Sequence, residues 1–596
     1  MGEQKVSLAA GNAQMHVFVR NLLKDVEALE YMLENDWFEK DTLRIGAEQE
    51  LCMVDKKTLK PATIAMEVLD KMNGHAWAET ELAKFNLEVN LTPQVFEGDC
   101  LSKMAEETKK CLDKVRSVVN ELGAEIILTG ILPTLRKFDL ELHNLTPKKR
   151  YKALIEAINS ELIGNAYELR MQGIDELLVK HDSPLLEACN TSFQVHLQIH
   201  PDHFVQYYNI AQALAAPTMA IAANSPIVFG KRLWHESRIA LFQQALDIRT
   251  THNHMRERSP RVSFGKNWLD KSILEIYKED IARFRALLSA DVQEDSLEMI
   301  QNGKAPKLRA LQVHNSTVYR WNRPCYGISD NGMPHLRIEN RVLPAGPSIE
   351  DEMANAALWL GAMEGMAHEV GDVRHKMGWE DVRDNFGKAA QYGIDSKFTW
   401  FKDQKISACD LVLEQLIPIA RKGLEKRKVK KDDIDKYLGI IEERAKNHMN
   451  GSRWKLRAFS KLQKEVGTDE ALSVLTHSII KNQKNSKPVH TWKMPKAVDL
   501  DDYHPSKLKV EEFMDTDLLT VQMDAVIELV AEIMDWRDLK YVPVEDSKGN
   551  LCGMISSTLL LRHFAKKDRQ LNYTATTVKD IMIKDPLTIA PNANIV

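Results

Sequence analysis

The sequence predicts an α+β protein with a large mixed unit, a helical segment and a small C-terminal unit. Amphipathic helical patterns alternate with short strand patterns from about residue 15 to 375, as in the helix predicted over 17–33 and the strand predicted over 44–54. A helical pattern follows over 389–480, and a short repeat lies beyond residue 508. At 596 residues the chain is also too long for one ordinary core, so several units are expected.

The composition argues against several classes of protein. With 44% hydrophobic and 28% charged residues and a formal net charge of −5, nothing indicates binding to nucleic acid or to a membrane. The N-terminal residues lack an apolar core of signal-peptide length, so a cytoplasmic enzyme is expected. The most apolar stretch, 214–229, is broken by Pro217 and Pro226 and predicts no transmembrane helix. Seven scattered cysteines without a Cys-x-x-Cys pair indicate neither a disulfide framework nor a thiolate zinc site.

Four strand patterns in the first unit carry unusual polar faces. Successive side chains of a strand point to opposite faces, so residues two apart share one face. The four polar faces, in chain order, are Glu48 and Glu50; Asn86, Glu88 and Asn90; Ser192, Gln194, His196, Gln198 and His200; and Arg337, Glu339 and Arg341. One such face alone is typical of the solvent side of an amphipathic antiparallel strand. Together, their carboxylates, imidazoles, amides and guanidiniums favour a charged, water-lined cavity on one sheet.

The carboxylates on these faces predict a metal site. A site that gathers the four glutamates needs compensating positive charge, because clustered carboxylates repel one another. Oxygen ligands with one histidine favour Mg²⁺ or Mn²⁺ over a thiolate-bound metal. Such ions bridge nucleotide phosphates, and the sequence has no Walker-type Gly-x-x-x-x-Gly-Lys-[Ser/Thr] motif. ATP would therefore be held by metal ions and arginines on the sheet.

Three arginines outside these faces are further candidates. A planar guanidinium binds carboxylate or phosphate through two parallel hydrogen bonds. Arg238 follows Trp234-His-Glu-Ser, and Arg320 and Arg323 flank Trp321-Asn. For each arginine, a surface salt bridge is at least as good an explanation.

The later part of the chain is expected to change character twice. Over 389–480 the pattern is helical, with a new helix that begins at Asp432 or Asp433, whose carboxylates suit a helix N-terminus. The basic residues just before this start are typical of a solvated helix end. Prolines at 488, 495 and 505 among polar residues predict a linker over 481–508.

A series of motifs runs in order along residues 40–380. They are Gly46-Ala-Glu48-Gln-Glu50, the pair Glu81 and Glu88, Thr129-Gly130-Ile-Leu-Pro133, Thr146-Pro-Lys-Lys-Arg150-Tyr151, Gln194-Val-His196, Asn224-Ser-Pro226, Arg238, and Arg337-Ile-Glu339-Asn-Arg341. Gly-x-Glu-x-Glu alone is a weak signal, whereas the ordered series is specific. It resembles the glutamate–cysteine ligase family of the bacterial and plant type, with its carboxylate–amine ligase relatives in the glutamine synthetase-like superfamily.

The resemblance implies a funnel of largely antiparallel strands flanked by helices, which holds two or three Mg²⁺ ions, ATP and an amino acid. The positions that match metal ligands are Glu48, Glu50, Glu88, His196 and Glu339, with Glu81 as a candidate for a further ion. By the same carry-over, the expected catalytic residues are Arg341, Arg238 and Arg320. Arg341 would face the transferred phosphoryl group, and the other two would hold substrate carboxylate or phosphate. Arg320, Arg323, Arg341 and Gln194 are expected to contact ATP.

The implied reaction forms an amide through an acyl phosphate, with glutamate as the expected carboxylate substrate and cysteine as an expected amine. Phosphate as the leaving group turns a poor electrophile into a good one, and metals and arginines would supply electrostatic stabilisation. The alternative hypothesis is a non-catalytic sensor that retains the fold, binds nucleotide or amino acid and is regulated by its C-terminal region. The sequence does not select one amine.

The C-terminal repeat resembles cystathionine-β-synthase (CBS) domains. Residues 510–521 recur as 578–589, and Tyr541-Val-Pro543 through Ser556 matches the second half of the first copy. Such modules pair and sense adenine nucleotides, which implies a homo-oligomer formed through this region. The predicted division is a ligase domain over 1–388, a helical extension over 389–480, the linker over 481–508 and a CBS-like α/β region over 509–596, with an incomplete second repeat.

Overall fold

The computed structural model describes residues 6–7, 12–40, 42–72, 75–162, 167–181, 184–247, 260–290, 292–500, 510, 514, 518–567, 576–591 and 593. The chain divides into two compact units, Met1–Tyr503 and His504–Val596. No helix within these ranges combines the length and the hydropathy that crossing a membrane requires.

The first unit mixes helices and strands along its whole length. Its strands are β1 (Val6–Ser7), β2 (Arg44–Asp55), β3 (Ala78–Thr80), β4 (Asn86–Asn90), β5 (Gln94–Val95), β6 (Ala124–Ile127), β7 (Tyr167–Gln172), β8 (Glu176–His181), β9 (Phe193–Ile199), β10 (Ile227–Val228), β11 (Lys231–Arg232), β12 (Val262–Ser263), β13 (Ser289–Ala290), β14 (Tyr319–Arg320), β15 (Asn322–Ile328), β16 (Pro334–Asn340), β17 (Lys397–Trp400) and β18 (Gln404–Ser407). Its helices are α1 (Asn12–Glu34), α2 (Ala65–Lys71), α3 (Cys100–Glu121), α4 (Lys149–Leu162), α5 (Phe204–Ala222), α6 (Arg238–Ala245), α7 (Ile273–Arg283), α8 (Ser296–Gln301), α9 (Arg309–Asn315), α10 (Ile349–Glu369), α11 (Trp379–Tyr392), α12 (Ala408–Leu411), α13 (Ile417–Lys426), α14 (Lys431–Lys446), α15 (Gly451–Leu462) and α16 (Thr468–Lys484).

An antiparallel sheet is the centre of the first unit. Its strand order is β15-β16-β9-β2-β4-β3, and β5 and β6 also pair with β2. The long strand β2 ends at Asp55, whose Oδ1 accepts hydrogen bonds from the N–H groups of Lys57 and Thr58 and so forms a turn. The predicted α+β class with a largely antiparallel sheet is confirmed.

The apolar face of this sheet packs on long buried helices. Ala47, Leu51, Val89, Val195 and Ile338 belong to this face and are at most 3% exposed. They share one core with α5 and α10, which are buried around most of their circumference. The most apolar stretch of the sequence therefore begins in a core helix.

The segment predicted to be helical after residue 389 instead starts with a hairpin. The helix α11 is followed by β17, which pairs antiparallel with β18 before α12 begins. Asn385 holds β17 in place, because its Nδ2 donates to Thr399 O at 2.7 Å and its Oδ1 accepts from Thr399 N at 3.0 Å. Such a tertiary contact overrides local helical periodicity. Farther on, Asp432 and Asp433 lie in the first turn of α14, as expected.

Much of the predicted linker packs on the first unit. The helix α16 continues to Lys484, and the fully buried Val489 donates its N–H to Asp351 Oδ2 at 3.0 Å. Trp492 packs edge-on against Trp454. The rest of the predicted linker, from residue 501, lies outside the described residues, and the four-part domain division stays a prediction.

The second unit is a small α/β module. It contains the strands β19 (Val521–Gln522), β20 (Tyr541–Glu545), β21 (Leu551–Ser556) and β22 (Ile583–Lys584) and the helices α17 (Ile527–Trp536), α18 (Ser557–Lys567) and α19 (Val578–Ile581). The strands form one sheet in the order β19-β20-β21-β22, in which β19 and β20 are parallel. In the first copy of the repeat, residues 511–513 and 515–517 lie outside the described residues. The second copy starts at Val578, which is the first residue of α19.

The core helix α10 is held against α13 by close backbone contact at glycines. A Cβ added to Gly423 would lie 2.1 Å from Gly361 O, and one added to Gly365 would lie 2.1 Å from Ile419 O. Any side chain would push the two helices apart, so this crossing requires glycine.

The substitution Gly423→Ala is expected to destabilise the protein by about 1–3 kcal/mol, the usual cost of overpacking. Gly439→Ala in α14 is the matched control, because no atom lies within 4 Å of its added Cβ. Alanine favours a helix over glycine by about 1 kcal/mol, so this control should gain stability. Thermal unfolding should shift in opposite directions for the two variants. Equal shifts would show that the glycine contact does not limit stability.

Candidate active site

The polar faces of neighbouring strands meet on one side of the central sheet. Antiparallel pairing places Glu48 and Glu50 of β2 opposite polar residues of β4, and it also brings polar residues of β9 opposite those of β2 and β16. The cross-strand pairs at the centre are Glu48–Gln194, Glu50–Glu88, His196–Glu339 and Glu339–Arg323. The structure therefore gathers the predicted metal-binding residues on one surface.

Three carboxylates form what we term the Glu50 cluster: Glu50, Glu81 and Glu88, which each offer an oxygen within 4.8 Å of the others. Glu50 is oriented by the Ser192 N–H, 2.6 Å from its Oε2, and by Gln194 Nε2, 2.8 Å from its Oε1. Burial, followed by Glu81, raises the pKa of Glu50 to about 7, and burial with neighbouring carboxylates raises that of Glu88 well above its ordinary value. Glu88 Oε1 is buried without a hydrogen-bond partner. A divalent cation fits this group, because it would supply the missing charge and ligand.

A second group, the Glu48 cluster, consists of Glu48, His196 and Glu339. His196 Nε2 lies 3.4 Å from Glu48 Oε1 and has no hydrogen-bond partner, while Arg337 Nε donates to His196 Nδ1 at 3.1 Å. Burial opposes ionisation of Glu339, but Arg341 and a second arginine hold the pKa of this carboxyl well below its ordinary value. An unpartnered imidazole nitrogen beside carboxylates is a donor set that fits Mg²⁺ or Mn²⁺.

Gln194 joins the two clusters. Its Nε2 donates to Glu50, and its Oε1 accepts from Arg341 NH1 at 2.8 Å. Arg341 NH1 also donates to Glu339. Although burial opposes it, Glu339 and then Glu50 raise the pKa of Arg341, so its guanidinium stays charged. A fixed positive charge therefore lies between two anionic clusters.

Strand alternation separates the two arginines that flank Trp321. Tyr319, Trp321 and Arg323 line a cavity beside the Glu50 cluster, whereas Arg320 does not. Arg320 forms a buried ion pair with Asp280, at 2.5 Å between NH2 and Oδ1. Adjacent strand residues face opposite sides, so the structure places this guanidinium on a buried carboxylate and not in the cavity wall, and contact of Arg320 with substrate or ATP stays a prediction.

Arg238 lines the same cavity but is largely engaged by the protein. Its Nε donates to Glu236 Oε1 at 2.7 Å, and its NH2 donates to Val342 O at 2.5 Å. Both Arg238 and Glu236 are almost fully buried. These contacts fix the start of α6 beside the end of β16, and a role of Arg238 in substrate binding stays a prediction.

Two cavities lie on the polar face, and Glu48 borders both. The smaller, of about 160 Å³, is bordered by the Glu50 cluster and by Arg150, Arg238, Arg323 and Arg341. The larger, of about 580 Å³, is bordered by polar residues that include Asn90, His196, Gln198, Ser329, His335 and Arg337. The arrangement provides one compact, highly charged chamber and one roomier, mixed chamber on either side of the same glutamate.

Several residues of the smaller cavity were not among the site residues predicted from the sequence. Arg150 and Tyr151 stand in one motif of the ordered series, and they lie at the start of α4, where Tyr151 donates to Thr80 O at 2.9 Å. Glu187 and Asn190 lie in and after the 3-10 helix Pro184–Cys189. Only the first pair carried a sequence signal, because a 3-10 turn has no periodic pattern.

Mg²⁺ is expected to stabilise the metal-free protein more at pH 8 than at pH 5.5. In the Glu50 cluster the pKa of each carboxyl is raised above the ordinary value of 4.5, so the folded state retains protons that the unfolded state has lost. Stability of the metal-free protein should therefore fall as pH rises through this range, and Mg²⁺ should oppose the fall by binding ionised carboxylates. Thermal unfolding with and without Mg²⁺ measures both effects.

The variant Glu50→Gln should weaken both the pH-dependent loss and the Mg²⁺ shift. Glu176→Gln, a change at an exposed carboxylate of β8, is the matched control and should alter neither. A Mg²⁺ shift of wild-type size in Glu50→Gln would contradict the assignment of the Glu50 cluster as a cation site.

The chain also resembles several solved structures. A glutamate–cysteine ligase from Francisella tularensis in complex with AMP is 12% identical, with a TM-score of 0.43, over 78% of this chain and 93% of that chain. The prokaryotic ubiquitin-like protein ligase PafA, in complex with Pup, is 8% identical, with a TM-score of 0.36, over 78% of this chain and 80% of that one. A CBS domain from a Sphaerobacter thermophilus membrane protein is 20% identical, with a TM-score of 0.13; the match covers 15% of this chain and only 66% of that domain.

Two protein-family models match the sequence. The model of glutamate-cysteine ligase family 2 matches residues 44–476, and the CBS domain model matches residues 510–566. No curated protein is significantly similar to the chain. Because the first model spans more than half of its length, the chain belongs to the glutamate-cysteine ligase family 2, and it also carries a CBS domain.

Proposed function

We propose that the protein is an ATP- and Mg²⁺-dependent carboxylate–amine ligase, with glutamate as the first candidate for its carboxylate substrate and cysteine as a candidate amine. Membership of the family supports the class of reaction. The observation that carries the proposal is the pair of acidic clusters joined by Gln194 and Arg341 on one sheet face. Buried anions around a fixed guanidinium suit a metal-assisted transfer of a phosphoryl group.

Each cluster would hold a cation. Glu50, Glu81 and Glu88 would bind one ion, and Glu48, His196 and Glu339 would bind another. Bound Mg²⁺ supplies neutralisation of phosphate charge during phosphoryl transfer.

The two cavities support a division of substrates. The larger one, at about 580 Å³, has room for a nucleotide and offers Arg337 and His335 to its phosphates or base. The smaller one, at about 160 Å³, suits an amino acid whose carboxylate is bound by arginines. Since Glu48 borders both, the phosphoryl group would pass from one chamber to the other beside this residue.

The chain's own residues would position the reactants and balance charge. A carboxylate oxygen of the substrate attacks the terminal phosphorus of ATP, and ADP leaves. Arg341, held by Gln194 and Glu339, stabilises the transferred group without reorganising. The amine then attacks the acyl carbon, and phosphate leaves with the electron pair of the broken C–O bond.

Wild-type protein with ATP, Mg²⁺ and glutamate is expected to convert hydroxylamine to a hydroxamate and to release phosphate with one or more amines of an amino-acid panel that includes cysteine. Glu50→Gln and Glu339→Gln should each lower both rates by roughly 100-fold or more, because lost electrostatic stabilisation of this kind costs about that factor. Glu176→Gln is the control. A protein that binds ATP in calorimetry but gives neither product would be a sensor rather than a ligase.

Substitutions in the two cavities should affect the KM values of different substrates. Arg337→Met is expected to raise the KM for ATP by roughly 10- to 100-fold, and Arg150→Met the KM for the carboxylate substrate, since each removes a charged hydrogen-bond donor worth about 1.5–3 kcal/mol. Steady-state kinetics with each substrate varied in turn measures the split. Equal effects on both constants in both variants would contradict the division.

A further inference from the structure

Among the polar side chains of the smaller cavity that belong to neither acidic cluster are Glu187 and Asn190. Glu187 borders the cavity, and its carboxylate forms no hydrogen bond or salt bridge with any residue in the described part of the chain. Asn190 borders it as well, and both polar atoms of its side chain are buried without a hydrogen-bond partner. A buried amide whose donor and acceptor form no hydrogen bond costs free energy unless a ligand supplies those hydrogen bonds.

The backbone that carries these side chains is firmly anchored. Asn190 N–H donates to Glu187 O at 3.0 Å, and Asn86 Nδ2 donates to Ala188 O at 2.8 Å. The next residue, Thr191, donates its N–H to Gly130 O at 3.0 Å. Glu187 and Asn190 therefore project from a fixed segment at the start of β9, so their placement is already organised for a ligand.

The charges around Glu187 favour a cationic partner. Burial, followed by the Glu81 carboxylate, raises the pKa of Glu187 to about 8, while Arg341 and Arg150 act in the opposite direction. Glu50 also raises this pKa, and Tyr319 interacts with Glu187 in the cavity wall. The four cavity arginines are suited to anions, so Glu187 is the group outside the clusters that suits an ammonium or a nitrogen gaining positive charge.

We infer that Glu187 and Asn190 form the subsite of the acceptor amine, with Glu187 as the group that receives the proton of the amine and Asn190 as the group that orients it. The inference rests on the proposed ligase function. As the nitrogen attacks the acyl carbon, the C–N bond forms and the C–O bond to phosphate breaks, with its electron pair leaving on phosphate. The proton of the nitrogen passes to the Glu187 carboxylate. Asn190 implies an acceptor with a hydrogen-bonding group near its amine, as in an amino acid.

Two acceptors in the same assay test this role. Hydroxylamine is neutral at pH 7 and attacks an acyl phosphate without a protein base, its surplus N–H proton passing to water, whereas an amino acid arrives as an ammonium that must first lose a proton. With ATP, Mg²⁺ and glutamate, Glu187→Gln should retain hydroxamate formation within about threefold. It should lose roughly 100-fold or more of the rate with the amine that works best for the wild type, the usual contribution of a general base.

Further variants distinguish this role from a structural one. Glu187→Ala with added formate should recover part of the amide-forming rate, since formate can replace the missing carboxylate. Asn190→Ala should raise the KM for the amine about tenfold while its kcat stays within about threefold. Glu156→Gln, on the exposed face of α4, is the control and should change nothing.

The assays distinguish failure of the proposed ligase function from failure of the role assigned to Glu187. Absence of hydroxamate from the wild-type protein would overturn the proposed ligase function, and the inference with it. If the wild type makes hydroxamate but Glu187→Gln loses both products equally, or keeps both, the assignment of Glu187 to the amine is overturned while the ligase function stands.

Discussion

The register of the central sheet is the constraint on which the rest of the site depends. A slip of one residue in β2 would turn Glu48 and Glu50 into the apolar core and Ala47 and Leu51 into the cavity. The apolar faces prevent this slip, because they are buried against α5 and α10. The charged face is therefore fixed by packing on the opposite side of the sheet, where glycine contacts hold α10 against α13.

This register gathers more negative charge than the chain neutralises. Glu339 is paired with Arg341, and its pKa is low, whereas the pKa of Glu50, Glu81 and Glu88 is raised. The pKa values of glutamates on one face of the sheet are therefore shifted in opposite directions. The difference indicates where a bound cation would stabilise the site most. The Glu50 cluster contains no positive charge of its own, whereas Glu339 of the Glu48 cluster is already neutralised by arginines.

The sequence predicts what strand periodicity encodes and little beyond it. The four polar faces were predictable because alternation has a period of two, and their gathering on one sheet follows once the strands pair. No local pattern indicates which side of β14 Arg320 faces, and its guanidinium pairs with Asp280. The β17–β18 hairpin depends on Asn385, a contact that no local pattern contains. Glu187 lies in a 3-10 turn, where polar residues are common and no periodic pattern distinguishes a cavity residue from a solvent-facing one.

The candidate site therefore has two parts, one on the strands of the sheet and one on the segments that connect them. The residues proposed for phosphoryl transfer lie mainly on strands, whose geometry is set by the whole core and tolerates little change. The residues that border the smaller cavity from outside the sheet, such as Arg150, Glu187 and Asn190, lie at the start of a helix or on a connecting segment. Connecting segments vary more readily than the elements they join. In the proposed ligase, a change of amine would therefore require substitutions at positions such as Glu187 and Asn190, while the residues on the sheet stay the same.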